Sequence, residues 1–412
     1  MGRPAVVAVV AIVSAFLGGA GALLLGKATG WVEGETDTVV LSVVDGATPA
    51  AQENDAATAE TGKPLSGNDF DPARIYRERA EGVVTVIALF GPHADTGGGG
   101  AAQGSGFVAS ADGYVLTNSH VITTAGEGAP NGSADAATTV YVEFRDGDRI
   151  RAKIVGWDVF DDVGVLRVDP KAHPLTTVPL GDSNEVVVGE PVAAIGSPFG
   201  QMSSLSVGVV AATERSIDSL TSQYSLVDAI QTDAPINRGN SGGPLLDARG
   251  RAIGVNAQIR SESGTAEGVG FAIPINSAVR SMEQLVKTGR VRYAWVGIST
   301  QTLTPGLARR FGFAAPRGAV VQSVVKGSPA EKAGFRAGSE EKEFSGVRLR
   351  VGGDLIVAID GEDIADAEDV VRAVTNRLPG QRARFTVLRG PERRVIEVVL
   401  GERPANPPPT DR

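Results

Sequence analysis

Residues 237–245 read Asn-Arg-Gly-Asn-Ser-Gly-Gly-Pro-Leu, and this stretch is the most informative of the chain. Ser241 stands among glycines, which permit a tight turn in which backbone N–H groups converge. Acyl transfer requires such convergence, because the substrate carbonyl oxygen becomes an oxyanion that rigid donors must stabilise. An ordinary glycine-rich turn is the alternative. A phosphate-binding loop is disfavoured, because no lysine follows the glycines.

Two upstream segments supply the partners that a serine nucleophile needs. His120 follows an apolar run, and the acidic pair Asp161 and Asp162 directly precedes another, residues 163–168. Taken alone, each segment has an ordinary explanation, as a structural histidine or as a turn or strand cap. Together with Ser241 they provide a base and a carboxylate that holds the base in the correct tautomer. The order His, Asp, Ser is also that of chymotrypsin.

The surrounding sequence predicts a domain of short strands. Asp71 and Pro72 form a helix start, with Asp as the N-cap and Pro in the first turn. The runs that follow are rich in Val and Ile and are separated by Gly, Asp, Asn or Pro turns. This pattern indicates an antiparallel barrel or sandwich rather than alternating β-α units. The predicted strands are residues 83–90, 106–109, 114–117, 139–144, 150–155, 163–168, 191–195, 207–212, 253–259 and 270–273.

Several segments resemble the HtrA/Deg serine proteases, over residues 71–404. They are Gly104-Ser105-Gly106-Phe107, Leu116-Thr117-Asn118-Ser119-His120-Val121, Asp162-Val163-Gly164-Val165-Leu166, Leu180-Gly181-Asp182-Ser183, residues 231–245 and Gly268-Val269-Gly270-Phe271-Ala272-Ile273-Pro274. The resemblance implies a mainly β fold, with a two-barrel trypsin-like serine protease domain followed by a small α+β PDZ domain. It also implies that His120 is the general base, that Asp162 orients it and that Ser241 is the nucleophile.

The resemblance extends to the groups around the serine. The backbone N–H groups of Gly239, Asn240 and Ser241 are expected to form the oxyanion hole. Asp161 remains an alternative to Asp162, because the two acids are adjacent. The primary side-chain pocket is expected to contain Ile236, Asn256, Ala257, Gln258 and Ile259. None of these is acidic, so we expect cleavage after small or medium aliphatic residues rather than after Lys or Arg.

Residues 291–404 are similar to the PDZ domain of the same family. The carboxylate of a peptide is expected to bind backbone N–H groups of Trp295, Val296, Gly297 and Ile298, and the next strand to accept the peptide by β-augmentation. Residues 336–351, rich in Glu, Lys and Arg, form an insertion where a short turn would stand. From the pattern alone, a small α+β domain with another role is the alternative.

The N-terminal residues predict a membrane anchor. Residues 4–26 carry no charged side chain, and Arg3 and Lys27 flank them. As a helix this run rises about 35 Å, enough to cross a hydrocarbon core of roughly 30 Å. We expect a single-pass anchor with the protease and PDZ domains on the extracytoplasmic side of the cell membrane. A signal peptide cleaved near Ala20-Gly21-Ala22 and a soluble core helix are the alternatives.

Charge divides the chain further. The net charge is −9, and nine acidic residues against the single basic Lys63 lie between Glu33 and Asp71. The acidity therefore belongs to a flexible linker, and the nearly neutral remainder argues against nucleic-acid binding. The expected organisation is an anchor or signal at residues 1–27, the acidic linker at 28–70, the protease domain at 71–290, the PDZ domain at 291–404 and a disordered tail at 405–412.

Composition excludes several chemistries. The chain has no cysteine, which rules out disulfides, thiolate metal sites and thiol nucleophiles, and it has three histidines. We therefore expect no metal and no cofactor.

The predicted function is an ATP-independent serine endopeptidase of the cell envelope that degrades unfolded or damaged proteins. The expected partners are these polypeptides, peptide C-termini at the PDZ domain, the membrane and, by resemblance, two further copies in a homotrimer.

A second hypothesis is a catalytically silent binding or chaperone protein that contains a PDZ domain. The presence of His120, Asp162 and Ser241 argues against it, because a silent relative would be expected to have lost at least one of them. A non-protease enzyme with an organic cofactor has no support, since the chain has neither a dinucleotide-binding nor a phosphate-binding glycine motif.

Overall fold

A computed structural model describes residues 70–91, 100–127, 134–197, 204–222, 224–237, 239–257 and 269–406. The predicted anchor, nearly all of the acidic linker and residues 407–412 lie outside these ranges. Across the described ranges, no helix is both long enough and apolar enough to span a bilayer. Phe70, expected as the last residue of the linker, is fully buried in the protease core, so the folded part begins at or before this residue.

The first helix begins as the sequence predicts. The Asp71 carboxylate accepts a hydrogen bond from the N–H of Arg74 at 2.9 Å, and Pro72 occupies the first turn of α1, Pro72–Arg79. Ile75 on this helix is fully buried in the protease core. A short 3-10 turn, Ala80–Gly82, leads into the first strand. The N-cap therefore starts a helix that closes one side of the core.

Six antiparallel strands form the first closed barrel. Their order is β1-β2-β3-β6-β5-β4, and β1 pairs with both β2 and β4 to close the sheet. The short helix α2, Ser119–Ile122, follows β3 directly. The strands are β1 Val83–Leu89, β2 Ala101–Val108, β3 Tyr114–Asn118, β4 Thr139–Glu143, β5 Arg149–Asp158 and β6 Val163–Arg167.

Six further strands form a second closed barrel, in the order β10-β11-β12-β9-β8-β7. A core shared by both barrels contains Phe107 and Leu116 of the first and Ile195 and Val255 of the second. The strands are β7 Pro191–Gly196, β8 Ser204–Asp218, β9 Ser225–Thr232, β10 Pro244–Leu246, β11 Ala252–Ala257 and β12 Gly270–Pro274. The two-barrel prediction is confirmed, although β9 and β10 were not expected and β8 is much longer than residues 207–212.

Helix α3, Ile275–Thr288, ends the protease part at Gly289, whose φ of 74° lies in the left-handed region that favours glycine. The PDZ part contains a mixed-length antiparallel sheet, β14-β15-β18-β20-β21, with β19 against β18, and a small β13–β22 pair. Its strands are β13 Ala294–Trp295, β14 Ile298–Leu303, β15 Gly318–Val324, β18 Leu355–Ile359, β19 Glu362–Asp363, β20 Arg382–Arg389, β21 Glu392–Val399 and β22 Gly401–Glu402. Its helices are α4 Pro305–Phe311, α5 Pro329–Ala333 and α6 Ala367–Thr375.

The insertion at residues 336–351 is an ordered β-hairpin. Its strands are β16 Glu340–Phe344 and β17 Val347–Val351, and a turn at Ser345 and Gly346 with positive φ values joins them. Leu349 is buried against the PDZ part. The side chain of Gln322 on β15 bonds to both the N–H and the carbonyl of Arg350, at 2.8 and 3.3 Å. The hairpin is therefore fixed at its base.

Candidate active site

The structure brings His120 and Asp162 into direct contact. The Nδ1 atom of His120 lies 2.7 Å from Oδ2 of Asp162, and the His120 backbone N–H donates to Oδ1 at 3.0 Å. The hydroxyl of Ser119 also donates to Oδ1, at 2.7 Å. These contacts fix the imidazole so that Nδ1 faces the carboxylate, which leaves Nε2 to act as a base.

The backbone of Asp162 is held in an uncommon conformation. Its φ is 51°, in the left-handed region, which an aspartate tolerates better than most residues. Its carbonyl accepts hydrogen bonds from the Asn118 side chain at 3.0 Å and from the Ser119 N–H at 3.2 Å. Such a conformation costs on the order of 1–3 kcal/mol and persists where neighbouring contacts determine it. Here β3 and the start of α2 provide those contacts.

The environment of His120 changes its basicity. Burial by itself lowers the pKa of His120, since a buried imidazolium loses hydration. The charge of Asp162 and the hydrogen bond to it outweigh this effect, so the pKa of His120 is raised above its usual value. A base with a raised pKa is a better proton acceptor once it is neutral.

Ser241 lies on a turn that packs against the strand end preceding His120. Its carbonyl accepts the N–H of Ser105 on β2 at 2.8 Å. Gly242 has a φ of 88°, and a Cβ there would lie 2.1 Å from the Ser105 carbonyl oxygen and 2.5 Å from the Thr117 hydroxyl. Only glycine fits this approach. The Ser241 hydroxyl is buried and makes no hydrogen bond with any described residue.

The backbone on either side of Ser241 decides which N–H groups are free. Ser105 Oγ donates to the Gly239 carbonyl at 2.5 Å, and the Asn240 N–H donates to the Asn237 carbonyl at 3.0 Å. Asn240 is thereby removed from the expected oxyanion donors. The Asn240 carbonyl accepts the N–H of Gly243 at 3.0 Å. Because C=O and N–H point in opposite directions across a trans peptide, the Ser241 N–H points away from Gly243.

The structure describes three of the five residues that were expected to line the primary pocket. Gln258 and Ile259 lie outside the described residues. Asn256 is fully buried, pairs by its backbone with Gly242 and Gly243, and donates its side-chain N–H to the Pro244 carbonyl at 3.2 Å. Its side-chain N–H therefore supports the backbone that follows the serine turn, while its Oδ1 has no hydrogen-bond partner among the described residues, and its place in the pocket stays a prediction. Ile236 and Ala257 are both buried apolar side chains.

Asp161 faces away from His120 and enters a cluster that the sequence did not indicate. Its carboxylate accepts the Tyr293 hydroxyl at 2.7 Å and pairs with Arg280 at 3.1 Å. The Tyr293 hydroxyl oxygen also lies within hydrogen-bond distance of the Asp158 carboxyl group, which accepts the Ser281 hydroxyl at 2.6 Å. Asp161 and Asp162 thus have separate partners, which supports Asp162 as the acid that orients His120.

Asp158 in this cluster has an unusually high pKa. Burial is the main cause and raises the pKa to about 6, and the nearby charge of Asp161 adds to the effect. The hydrogen bonds from Ser281 and Tyr293 oppose it. Local sequence could not indicate this cluster, because Tyr293 lies more than a hundred residues from both acids along the chain.

The glycine-containing loop before β14 has the polarity expected for a carboxylate site. The Val296 carbonyl accepts the Ala330 N–H at 2.9 Å, and the Gly297 carbonyl accepts the Val325 N–H at 2.9 Å. Gly297 has a φ of 85°, and a Cβ there would lie 2.3 Å from the Ser328 side chain. By the trans-peptide geometry, the N–H groups of Gly297 and Ile298 point away from the residues that these carbonyls contact.

Among the described residues, the one group whose donor atoms lie close enough to share a metal is Asp146, Asp148 and His173. The two acids are exposed, and His173 Nε2 is 2.9 Å from an Asp146 carboxylate oxygen. An ion pair accounts for this contact, and none of the three residues belongs to the segments around Ser241.

Comparison with known proteins finds relatives of both parts of the chain. Residues 104–255 match the family model described as trypsin-like peptidase domain, and residues 294–400 match the model described as PDZ domain. A probable periplasmic serine endoprotease, DegP-like, from Hahella chejuensis is 39% identical over 303 residues, which are 74% of this chain and 58% of the relative. The protein of the same description from Brucella suis is also 39% identical over 303 residues, 74% of this chain and 53% of the relative. The chain thus spans little more than half the length of these curated relatives.

Solved structures align over a larger share of their length. The HtrA-type protease AlgW with a tripeptide has a TM-score of 0.65 and 33% sequence identity, and the match covers 82% of this chain and 98% of that chain. The serine endoprotease from Yersinia pestis has a TM-score of 0.56 and 26% identity, with 81% and 98% covered. Nearly all of each solved chain therefore has a counterpart in this one.

Proposed function

The chain belongs to the HtrA/Deg family of serine proteases, and from this premise we propose that it is an ATP-independent serine endopeptidase that degrades unfolded or damaged proteins. The proposal rests mainly on the 2.7 Å contact of His120 with Asp162, beside a turn on which the Ser241 hydroxyl has no hydrogen-bond partner among the described residues. A silent scaffold would have no need for a buried histidine–carboxylate pair in this position.

In the proposed reaction, Nε2 of His120 takes the proton from Ser241 Oγ as that oxygen attacks the carbonyl carbon of the scissile bond. Asp162 stabilises the imidazolium that forms. The N–H groups of Gly239 and Ser241 bind the oxyanion, and Ser105 holds the Gly239 carbonyl, which belongs to the peptide between these two donors. His120 then gives its proton to the leaving amine, and a water molecule releases the acyl group by the same sequence of steps.

The substrate class follows from the chemistry of unfolded chains. Unfolded proteins expose extended apolar segments, which can pair as a strand beside a protease cleft. The buried apolar side chains of Ile236 and Ala257 support cleavage after Val, Ala or Ile. Mapping of the cut sites by mass spectrometry tests this preference, and a dominance of Lys or Arg at the cut position would refute it.

The PDZ part is proposed to bind the C-terminus of a polypeptide. The N–H groups of Gly297 and Ile298 point away from Val325 and Ala330, which bond to the neighbouring carbonyls. These N–H groups can therefore bind a carboxylate. Residues 4–26 are proposed to anchor the chain in the cell membrane with both domains outside the cytoplasm, and the word periplasmic in the relatives' names supports this side. The homotrimer rests on the family resemblance.

The proposed function is tested by digestion of one protein in its folded and its permanently unfolded form, without ATP. The wild-type chain should degrade the unfolded form much faster than the folded one, and Ser241→Ala should degrade neither. Ser110→Ala is a matched control, because the Ser110 hydroxyl makes no hydrogen bond within the described residues. Undiminished cleavage by Ser241→Ala would remove the serine assignment.

A further inference from the structure

Strand β14 offers an open edge that starts at the carboxylate loop. Within the described residues β14 pairs on one side only, with β15, and its first residue Ile298 directly follows Gly297. A peptide bound by its carboxylate at Gly297 and Ile298 would therefore run antiparallel along β14, one residue opposite each residue of the strand. Its upstream part would extend toward Leu303.

A cavity of about 490 Å³ lies at the far end of this edge. It is formed by the end of β14, the start of α4, the first turn of α6 and the tip of the inserted hairpin. From Ile298 to Thr302 the strand covers roughly 13 Å, so a peptide side chain that reaches the cavity stands about four residues upstream of the one opposite Ile298. The residues that line it include Thr300, Thr302, Leu307, Phe344, Val347 and Glu368.

The inserted hairpin gives this cavity its apolar wall. Phe344 and Val347 flank the turn, and 39% and 38% of their surfaces are exposed, although both are large apolar side chains. Their position is fixed, because Leu349 is buried and Gln322 bonds to the backbone of Arg350. A fixed hairpin that presents apolar side chains to a cavity is pre-organised to bind an apolar group.

The polar groups at the cavity are already in contact with other protein groups. Glu368 is the one charged residue among those lining the cavity, and its carboxylate accepts the Thr302 hydroxyl at 3.3 Å. The guanidinium of Arg310 lies 5.8 Å from the ring centre of Phe344. An apolar peptide side chain in the cavity would contact Phe344 and Val347.

We propose that the hairpin tip and β14 form an upstream subsite for the same polypeptide whose C-terminus binds at Gly297 and Ile298. The subsite takes an apolar side chain about four residues from the C-terminus in preference to a polar one. This inference rests on the proposed peptide binding by the PDZ part. It assigns a role to residues 336–351, whose sequence alone did not reveal one.

The test uses the full chain with Ser241→Ala, so that peptides are bound and not cleaved. Fluorescence anisotropy compares decapeptides that differ only in carrying Leu or Ser at one place, moved in turn from four to six residues upstream of the C-terminus. A tetrapeptide of the last four residues serves as the short ligand. At the best position we expect the peptide with Leu to bind about tenfold more tightly than the peptide with Ser.

Hairpin variants then locate the preference. Phe344→Ser and, independently, Val347→Ser should abolish the difference between Leu and Ser, and should leave tetrapeptide binding unchanged. Val395→Ser is the matched control, because Val395 on β21 is 62% exposed and does not line the cavity. Thermal melting identifies a variant that fails to fold, and the other hairpin variant then decides.

Two results would overturn the subsite, and they are distinguishable from failure of the groove. If the tetrapeptide binds but no upstream position favours Leu, or if the Leu preference survives both hairpin variants, the subsite does not exist although the PDZ part binds C-termini. If neither the tetrapeptide nor any decapeptide binds, peptide capture at Gly297 and Ile298 is wrong, and the subsite falls with it.

Discussion

Asp162 accepts hydrogen bonds at its carbonyl from Asn118 and Ser119, and at its carboxylate from Ser119 and His120. These contacts explain why an aspartate at φ 51° is stable at this place. They also set the orientation of the imidazole. The position of His120 in the site therefore depends on how Asp162 is held.

In the proposed mechanism, the raised pKa of His120 determines how the cleavage rate depends on pH. His120 is a base only when neutral, so the rate should rise as the pH increases through its pKa, which Asp162 raises above the usual value of about 6.5. Single-turnover cleavage of a peptide between pH 5 and 9 measures the midpoint. His173→Gln should not move it. A flat profile, or a midpoint below pH 6, would contradict the role of His120.

Ser105 is expected to support the oxyanion donors without touching substrate. Its hydroxyl donates to the Gly239 carbonyl at 2.5 Å and accepts the Ser197 N–H at 2.8 Å. Ser105→Ala removes a constraint on the Gly239 peptide, and the loss of one buried hydrogen bond predicts a kcat lower by about tenfold, with KM little changed. Steady-state kinetics of Ser105→Ala, with Ser110→Ala as the control, measure this effect. An equal change in kcat for the two variants would show that Ser105 contributes to packing and does not support the donors.

The end of β5 and the loop before β6 make two separate sets of side-chain contacts. Asp162 contacts His120, while Asp158 and Asp161 contact Tyr293 in the segment that leads to the PDZ part. The side of the loop away from His120 is therefore tied to the residues that join the two domains.

The raised pKa of Asp158 predicts a pH-dependent stability. In the folded chain this carboxyl holds its proton up to about pH 6, whereas an unfolded chain releases it near pH 4. The folded state binds more protons in this window, so its stability falls as the pH rises from 4 to 6 and is level above. Asp158→Asn, which cannot ionise, should lose this fall and gain on the order of 2 kcal/mol relative to wild type at pH 7.

Urea unfolding of both proteins between pH 4 and 7 provides the measurement. Asp112→Asn, a substitution of an exposed aspartate in a turn, is the control. A constant difference in unfolding free energy between wild type and Asp158→Asn across this range would show that Asp158 titrates normally.

Local sequence patterns predicted most strands of the two barrels and missed others. The β-branched runs predicted most strands, because buried strands need apolar side chains whatever their partners. Strand β9, Ser225–Thr232, mixes polar and apolar residues, and β10 has three residues, so local pattern could not identify either. The contact of Asn256 with Pro244 could not be predicted from the local pattern, because it depends on the pairing of β10 with β11.

At the scale of the whole molecule, contacts between the protease and PDZ parts were beyond reach of the sequence. Arg372 of α6 pairs with Asp228 at 2.7 Å and with Glu214 at 3.1 Å. The guanidinium of Arg403 lies 5.4 Å from the ring centre of Phe160 in the protease part. Each contact joins residues that are more than a hundred positions apart, and no local periodicity reports on such pairs. The family resemblance predicted the two domains, and the structure adds how they meet.

The central claim is that His120 activates Ser241 as the nucleophile. A fluorophosphonate tests it most directly, since an activated serine oxygen displaces fluoride and forms a stable phosphorus–oxygen ester. Intact mass and peptide mapping of the full chain should find one adduct, on Ser241, that forms faster as the pH increases through the pKa of His120 and is absent in His120→Ala. An adduct on another residue, or labelling of Ser241 at the same rate in His120→Ala, would contradict the account.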